Sequence, residues 1–491
     1  MANITRRQLV RGALTIGSLA AVPGAAAAFG PEAVPAGTGN AARFDDLHKM
    51  LRGELVTPAD ADYDAMRRVW NGMIDRRPAA IARCTGAADV MAVVKYAQDR
   101  GIPVTVRGGG HHVAGKAVRD GAIVIDLAPM QGIRVDPDRK HARAEGGLRW
   151  GAFDHETLAH GLYTTGGTVS VTGIGGLTLG GGLGWLMRKH GLSCDNLVGA
   201  DVVTADARLV SANASENSDL FWALRGGGGN FGVVTAFEYR LHDVEPIVGG
   251  LAMYSGDQLK DMLHFYRDFT ASAPDHLETQ GGAMIGPPGT PVEGRVAGWM
   301  AVCHSGPQTE GERIVAPIKA FGPPVLDFIG PTSYAAIQTM FDAGMAVTTR
   351  NYWRSSFMQA LDDDVLDSLV AHAGDMPRPG TLLLIEHMGG EVSRVGEHET
   401  AFANRGARYN LSVLSSWLDP DADERNIAWT RRFGDELNES STGGGYVNYM
   451  ANSDNPAAVR AAYEANFERL VDVKRKYDPG NFFNSNEIIK P

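Results

Sequence analysis

Cysteine is scarce in this chain. Cys84, Cys194 and Cys303 are the only three in 491 residues, they lie far apart, and they form no CxxC pair. Zinc knuckles and disulfide frameworks both need several cysteines at short, regular spacing, so the sequence excludes both. At most one disulfide can form, and we expect three buried thiols instead.

Excess positive charge and long apolar runs are also missing from most of the sequence. The 46 Lys and Arg residues are outnumbered by 57 Asp and Glu residues, for a net charge of -11. Nucleic acids and anionic membrane surfaces select a basic field, so neither is an expected partner. Beyond residue 28 no stretch is long and apolar enough to cross a bilayer. The length and the 44% hydrophobic content predict an ordinary globular protein of two or three domains.

The N-terminus carries an export pattern. Arg6 and Arg7 precede an apolar stretch over 9–28 that ends in an Ala-x-Ala run. This arrangement predicts a twin-arginine signal peptide over residues 1–28, with the twin-arginine export machinery as partner and a periplasmic or extracellular location. Pro23 and the alanine run suit cleavage better than an ordinary helix. Because this route carries folded proteins, it favours a protein that acquires a cofactor before export.

Glycine is abundant, and one run of it is unusual. The segment VTVRGGGHHVAG, residues 104–115, places three glycines between Arg107 and the pair His111 and His112. It could be a metal site, a phosphate cradle, a redox anchor or a turn. Adjacent side chains on a strand point to opposite faces, and no carboxylate or cysteine stands nearby at ligand spacing, so we predict no metal site. Consecutive amides beside a cation suit a pyrophosphate, and a loop with a satisfied histidine stays open as the alternative.

Two further glycine-rich segments follow. Residues 164–185 combine glycine with apolar residues rather than the polar residues of a linker, which indicates backbone that approaches a ligand closely. The segment 227–232 matches the dinucleotide fingerprint GxGxxG, but it lies between a predicted helix and a predicted strand, the reverse of the required order. We interpret it as a tight turn with exposed amides. The chain contains no GxxxxGK[ST] and no HExxH motif.

The hydrophobic pattern predicts a mixed α and β chain. Helices are expected over 84–100, 219–225 and 463–477, and strands over 102–107, 122–126, 197–210 (two strands around a turn) and 233–241. After Pro246 the pattern changes to longer strands and helices, which indicates a second domain.

Taken together, three motifs resemble those of the vanillyl-alcohol-oxidase superfamily of flavoproteins, and most closely its berberine-bridge-enzyme-like branch of FAD-linked oxidases. They are Arg107-x-Gly109-Gly110-His111, the run VSVTGIGG over 169–176, and the tail KYDPGNFF over 476–483. The resemblance runs from about Leu51 to the C-terminus. It implies an α+β fold with a PCMH-type FAD-binding domain at 43–245, a substrate domain with an antiparallel sheet at 246–442, and a C-terminal segment at 443–491 that returns to the FAD domain.

The same resemblance implies how FAD is held. His111 matches the histidine that bonds to the flavin 8α-methyl carbon, whereas Val169 stands where many relatives carry a second, cysteinyl attachment, so we expect attachment through His111 only. Thr172 takes a position thought to gate oxygen, usually Val or Ile. The other implied cofactor contacts are Arg107, Gly108, Gly109, Gly110, Gly115, Asp126, Gly173, Gly175, Gly176, Asp195, Asn196, Gly232, Val233, Tyr446 and Asn448.

Three residues are candidates for the catalytic base. Glu386 and His387 lie in a predicted strand on the floor of the substrate pocket, and the period of a strand places them on opposite faces. We prefer Glu386, because burial raises a carboxyl pKa toward the range useful for a general base; a structural salt bridge is the alternative. Tyr446 and Tyr449, in a run similar to the family's Tyr-x-Asn-Tyr, compete for the role. Arg350 and Tyr352 are weaker candidates for the pocket.

The implied function is FAD-dependent oxidation of a hydroxylated small molecule, such as a sugar, an aromatic alcohol or a secondary metabolite. Hydride passes to the flavin, and oxygen accepts the electrons as hydrogen peroxide. A dehydrogenase or tailoring enzyme with another acceptor stays open because of Thr172. A flavin-bearing protein that sequesters a drug is the alternative of another class.

Overall fold

The computed structural model describes residues 39–345, 349–451, 455–486 and 489–491, so the predicted signal peptide lies outside the described residues. The first layer is a four-stranded sheet in the order β1-β2-β4-β3. Its strands are β1 (Glu54–Val56), β2 (Ala80–Arg83), β3 (Val104–Arg107) and β4 (Ile123–Asp126). Strands β2, β4 and β3 are parallel, and β1 is antiparallel to β2.

The second layer is a five-stranded antiparallel sheet in the order β5-β6-β10-β8-β9, with a two-stranded sheet, β7 and β11, beside it. The strands are β5 (Ile133–Asp136), β6 (His141–Glu145), β7 (Leu162–Tyr163), β8 (Leu197–Val203), β9 (Leu209–Asn213), β10 (Val233–Arg240) and β11 (His242–Asp243). These two layers form the N-terminal half of the molecule.

The third layer is an eight-stranded antiparallel sheet in the order β15-β12-β14-β13-β18-β19-β17, with β16 also paired to β12. The strands are β12 (Ile247–Ser255), β13 (Leu277–Ile285), β14 (Val296–Ser305), β15 (Leu326–Asp327), β16 (Gly330–Thr332), β17 (Arg350–Met358), β18 (Leu382–His387) and β19 (Tyr409–Trp417).

Fifteen α-helices connect and cover these sheets in the described part of the chain. They are α1 (Gly39–Met50), α2 (Tyr63–Met66), α3 (Ala87–Arg100), α4 (Trp150–Leu158), α5 (Ile174–Leu179), α6 (Met187–His190), α7 (Ser218–Leu224), α8 (Leu259–Ala271), α9 (Gln308–Ala320), α10 (Tyr334–Gln338), α11 (Asp363–Ala373), α12 (Glu391–Arg394), α13 (Asp423–Glu439), α14 (Pro456–Tyr463) and α15 (Phe467–Tyr477). None of these helices has the length and apolar character needed to cross a membrane.

The two faces of the third sheet differ. Alternate residues such as Ile385 and Leu411 point to a face that packs under helices α8, α9, α11 and α13 in one apolar core. The opposite face carries Trp299 and Leu384 and packs against the N-terminal half. A sheet covered on both faces buries both sets of alternating side chains. Polar groups on the inner face are therefore buried between the two halves of the molecule.

The C-terminal segment packs into the N-terminal half. The Nζ of Lys474, fully buried in α15, donates to the backbone oxygens of Asn230 and Phe483 and forms an ion pair of 2.7 Å with Asp478. The carboxylate of Asp478 also accepts the backbone N–H groups of Phe482 and Phe483. Lys474 and Asp478 thus attach the C-terminal segment to the glycine loop at 226–232 through buried hydrogen bonds.

Most predicted elements agree with the structure. The helix predicted over 463–477 is an exception, because α14 ends at Tyr463 and α15 begins at Phe467. Helix α3 ends at Arg100, and the φ of 62° at Gly101 is the left-handed C-cap expected of glycine. All three cysteines are buried and free, as expected. However, β3 ends at Arg107, so His111 and His112 lie in the following loop rather than on a strand. The prediction that the side chains of His111 and His112 point to opposite faces assumed a strand at these positions, and that assumption was wrong.

Candidate active site

Two glycine loops meet at the centre of the N-terminal half. A Cβ built on Gly109 would lie 2.5 Å from the backbone nitrogen of Gly173, and one built on Gly173 would lie 2.5 Å from the nitrogen of Gly109. Side chains do not fit at such distances, so both positions require glycine. The close approach of the two backbones creates a surface of peptide groups at the first turn of α5.

Arg107 organises this loop rather than lying free beside it. Its Nε and Nη2 donate to the two carboxylate oxygens of Asp126 at 3.0 and 2.8 Å, and Nη1 donates to the backbone oxygen of Met66. Both side chains are buried. The guanidinium of Arg107 thus braces the loop through Asp126 and the backbone at Met66. The predicted contacts of Arg107 and Asp126 with the cofactor stay predictions.

His111 and His112 have different surroundings. The ring of His111 stacks on Trp70 with centroids 4.4 Å apart, and its buried Nε2 has no hydrogen-bond partner. Burial, together with the nearby charge of Arg149, lowers the pKa of His111 to about 4, so the imidazole is neutral at physiological pH. The ring of His112, in contrast, lies 3.3 Å from the backbone oxygen of Val447 and accepts the N–H of Ala114. Of the two, His111 alone presents a neutral, unused ring nitrogen.

Aromatic rings connect His111 to the third sheet. Trp70 lies against Trp353 at 5.1 Å, and Trp353 meets Tyr449 edge to face at 5.5 Å. Tyr449 in turn packs at 4.9 Å against Tyr446. The two halves of the molecule thus share one aromatic wall, which runs from the glycine loop to the polar row on the inner face of the sheet.

That polar row is centred on Glu386. In the strand register Gln280, Glu386 and Asn410 lie directly opposite one another on β13, β18 and β19. The Glu386 carboxylate is fully buried; it accepts the Asn410 amide at 2.7 Å and the Tyr449 hydroxyl at 3.4 Å. Burial raises the pKa of Glu386 to about 7, and the two hydrogen bonds act against that rise. A carboxyl group with this pKa can exchange a proton near neutral pH.

The two tyrosines differ in what their hydroxyl groups do. The hydroxyl oxygen of Tyr446 accepts the N–H groups of Gly182 and Leu183 and the side-chain amide of Asn448. The hydroxyl of Tyr449 is the one that donates to Glu386. Burial holds the pKa of each phenol above its ordinary value of 10. Tyr446 and Asn448 therefore hold the loop at 180–183, whereas Tyr449 contacts Glu386, whose pKa is raised to about 7.

Several predicted cofactor contacts are used for other purposes. The Asp195 carboxylate pairs with both terminal nitrogens of Arg405, and the Asn196 side chain bonds the ring of His242 and two backbone oxygens. Val233 lies in the core, and a Cβ on Gly232 would meet Val202 at 2.5 Å. These four residues therefore have structural contacts within the protein, and their predicted contacts with FAD stay predictions.

Two interpretations of glycine also change. The loop at 226–232 is a turn, as expected, but its amides are not exposed, because the N–H groups of Gly226 and Gly228 both donate to the oxygen of Leu179. In the second tract, a Cβ on Gly180 would lie 2.2 Å from the Asn448 Oδ1. Part of the glycine content thus serves the packing of the protein itself rather than contact with a ligand.

The remaining predicted residues surround the meeting point of the loops. The amide of Gly115 closes a turn on the oxygen of His112, and the oxygen of Thr172 accepts the amide of Trp150. A Cβ built on Gly175 would lie 3.3 Å from the ring of Phe237. A Cβ built on Gly176 would have no atom within 4 Å. A Cβ on Gly108 would meet the oxygen of Gly146 at 3.0 Å. The surface beside Gly176 is therefore the open part of the cradle.

His387 and the two weaker pocket candidates are structural. The ring of His387 points away from Glu386, as the strand period predicted, and lies 3.1 Å from Nη1 of Arg188. Arg350 forms a two-bond ion pair with Asp423. The hydroxyl of Tyr352 accepts the Nε of Arg431 at 3.0 Å.

Sequence reasoning missed Trp70, Trp353 and Asn410. Each contacts a predicted residue, yet each comes from a different part of the chain and stands in no recognised motif. Only Asn410 carried a usable signal, since a polar residue at an inward position of a strand needs a partner.

Two family descriptions match the chain. "FAD binding domain" matches residues 78–213, and "Berberine and berberine like" matches residues 445–490. The (R)-6-hydroxynicotine oxidase of Paenarthrobacter nicotinovorans is 31% identical over 464 residues, which cover 90% of this chain and 97% of that protein.

Solved structures agree with these matches. The 6-hydroxy-D-nicotine oxidase of Arthrobacter nicotinovorans superimposes with a TM-score of 0.80 at 28% identity, covering 90% of this chain and 98% of the other. The glucooligosaccharide oxidase of Acremonium strictum, described with a 6-S-cysteinyl, 8α-N1-histidyl FAD, gives a TM-score of 0.81 at 26% identity, covering 91% and 99%.

Fold and matches together define an FAD-binding protein with an α+β architecture, and the residues present fit that cofactor. The glycine cradle leaves room for a ligand that approaches the backbone, and the buried Nε2 of His111 lacks a partner. The chain belongs to the berberine-like family of FAD-linked oxidoreductases.

Proposed function

We propose that this protein oxidises the CH–OH group of a hydroxylated small molecule, with FAD as the redox cofactor and oxygen as the electron acceptor. The observation that carries the proposal is the buried pair of Glu386 and Tyr449 at the end of the aromatic wall that begins at His111. The glucooligosaccharide oxidase named above supports an alcohol substrate, and the hydroxynicotine oxidase supports a small hydroxylated molecule more generally.

The roles of the residues follow from their contacts. When bound, FAD would supply the acceptor for the hydride of the substrate carbon, and oxygen would take up the two electrons with two protons to give hydrogen peroxide. Tyr449 binds the substrate hydroxyl and conducts its proton to Glu386, the general base. Asn410 holds the carboxylate in place through the 2.7 Å hydrogen bond. Tyr446 and Asn448 position the loop at 180–183 and do not transfer the proton.

We propose further that FAD is attached covalently, and through His111 only. A neutral imidazole with an unused nitrogen is the nucleophile that such a bond needs, and His111 meets this condition at neutral pH. Val169 offers no thiol. The nearest cysteine in sequence, Cys194, has its Sγ 3.6 Å from the Asp195 carboxylate, and burial raises its thiol pKa, so it is a poor second anchor.

The oxidase proposal is tested by peroxide release. Purified holoprotein is incubated in air with sugars, aromatic alcohols and hydroxylated N-heterocycles, and hydrogen peroxide is measured against oxygen consumed. We expect catalytic release, with a 1:1 ratio, for at least one of these classes. Flavin reduction without peroxide would show a dehydrogenase. Tight, stoichiometric binding of a compound without flavin reduction would show a sequestering protein.

We also propose export by the twin-arginine route, which is supported by Arg6, Arg7 and the Ala-x-Ala run before residue 28. Replacing both arginines with lysine should retain the protein inside the cell that makes it. N-terminal sequencing of protein recovered outside the cytoplasm should begin close to residue 29.

A further inference from the structure

A cluster of three potential metal ligands lies on the third sheet, away from the aromatic wall. It comprises His276 in the loop before β13, His304 near the end of β14, and Glu310 in the first turn of α9. One ligand atom from each residue lies within 4.8 Å of the other two. The residues lie on three different elements and match no metal-binding motif in the sequence.

His304 is the unusual member of the cluster. Its side chain is fully buried, and both of its ring nitrogens lack hydrogen-bond partners. Buried polar groups are nearly always satisfied, and one that is not requires an explanation. The neighbouring helix α9 carries a glycine, Gly311, beside the ring. A Cβ at that position would lie only 2.6 Å from Nδ1 of His304. Glycine inside a helix costs stability, and here it makes room for the imidazole.

The other two ligands have a spacing that suits an ion better than a direct contact. The Nε2 of His276 also lacks a hydrogen-bond partner and lies 3.6 Å from the Oε1 of Glu310, which is too long for a hydrogen bond. In a tetrahedral zinc site, bonds of about 2.0–2.1 Å place neighbouring ligand atoms about 3.4 Å apart. The side chains of His276 and Glu310 are 31% and 39% exposed, so an ion can enter and both can adjust around the fixed His304.

The charges around the cluster permit a cation. The charged groups that act on His304 include Lys189, whose Nζ is paired at 2.5 Å with Glu245, and the carboxylate of Glu310. We therefore propose that His276, His304 and Glu310 form a binding site for a divalent transition metal of the zinc type. Two imidazoles and one carboxylate are ligands that zinc accepts, with the fourth position left to water.

The site would act on structure rather than on the redox reaction. It joins the loop before β13, strand β14 and helix α9. Arg188 donates to the backbone oxygens of Ala273 and Pro274 in the same loop and of Leu277 at the start of β13. Occupancy would fix the edge of the loop that supports this arginine. We expect binding to stabilise the folded protein by mass action.

The test uses tag-free holoprotein stripped of metal by chelation and titrated with Zn²⁺. We expect one zinc per chain by calorimetry and elemental analysis, and a melting temperature that rises with zinc and falls back with chelator. H276A and E310Q, at partly exposed positions, should each weaken zinc affinity at least about tenfold, the lower end of what losing even an outer-sphere partner costs.

The matched control is H264A. The ring of His264 is likewise half-buried and lies 3.7 Å from a carboxylate, that of Asp363, but it is outside the cluster. H264A should bind zinc as the wild type does. Absence of stoichiometric zinc in the wild type would overturn the proposal, as would equal affinity in the wild type and in folded H276A and E310Q.

Discussion

The two walls of the candidate site are built from different groups. The wall from the N-terminal half is mainly backbone, with Gly109 and Gly173 in direct approach and a single imidazole, His111, beside them. The floor from the third sheet consists of side chains on neighbouring strands, with Glu386 and Asn410 in one row. The first wall tolerates almost no replacement, because any Cβ at the contact overlaps backbone. In the second, a replacement of the same shape changes the chemistry at one position and needs no movement of the backbone.

This difference separates what is common to the family from what is particular to one enzyme. A shared cofactor needs the same close backbone approach wherever it binds, which limits the residues that the backbone wall can contain. Substrates differ, and an array of side chains on a rigid sheet can be altered to suit them. The following experiments perturb first one wall and then the other.

The largest effect is expected from G109A in the backbone wall. The new Cβ would lie 2.5 Å from the Gly173 nitrogen, so the two loops must separate. We expect purified G109A to contain little or no FAD, measured by the flavin absorbance relative to protein. G86A is the control, because no atom lies within 4 Å of a Cβ there. Full flavin content in G109A would show that the loop contact does not shape the cofactor site.

E386Q should give the next largest effect, in the side-chain wall. The amide keeps the shape of the carboxyl group but cannot accept the substrate proton, so flavin reduction should slow by about 10²–10⁴. The measurement is anaerobic rapid mixing with the best substrate from the peroxide assay. FAD content should be unchanged.

E278Q is the matched control for this variant. Glu278 is also buried on β13, and its carboxylate has no hydrogen-bond partner, so it does not contact Tyr449 or Asn410. E278Q should reduce its flavin at close to the wild-type rate. Equal rates in E386Q and the wild type would remove Glu386 as the base.

Y449F and Y446F should separate the two tyrosines. Y449F removes the donor to Glu386, and the loss of a hydrogen bond to a charged group corresponds to a flavin reduction that is about 10- to 100-fold slower. Y446F leaves the amides of Gly182, Leu183 and Asn448 without their acceptor, so it should cost about 1–3 kcal/mol of unfolding free energy. If Y446F were as stable as the wild type but slow in flavin reduction, Tyr446 rather than Tyr449 would be the residue that transfers the proton.

The smallest effect is a pH dependence. Because the pKa of Glu386 is about 7, the rate of flavin reduction should rise from pH 6 to pH 8 with a midpoint near 7, and E386Q should lack this rise. Stability should change in the opposite direction. A folded-state pKa raised above 4.5 means that the folded protein holds this proton more tightly than the unfolded chain, so unfolding free energy falls between about pH 4.5 and 7. E386Q should lack this fall, which is at most about 3 kcal/mol.

The predictability of the site from sequence follows the same division. The α+β organisation could be predicted, because the family's loops and tail occupy contiguous motifs, and the same motifs carry the prediction for His111. The direction of Glu386 followed from the period of a strand. By contrast, the use of Arg107 by Asp126, and of Asp195 by Arg405, depends on pairings between distant segments. Charged residues beside a cofactor loop look alike in sequence, whether they face the ligand or brace the loop from behind.

The contribution of Trp70 and Trp353 was invisible for a related reason. Their rings meet between the two halves of the molecule, and only the packing of those halves brings one beside His111 and the other beside Tyr449. The cluster at His276 shows the same limit, since its members lie on three separate elements.

The central claim is that His111 alone anchors the cofactor, and intact-protein mass spectrometry after acid denaturation tests it most directly. The wild type and H112A should each retain the mass of one FAD, and H111A should lose it while remaining folded. Flavin released freely from the denatured wild type, or retained by H111A and lost by H112A, would contradict the claim.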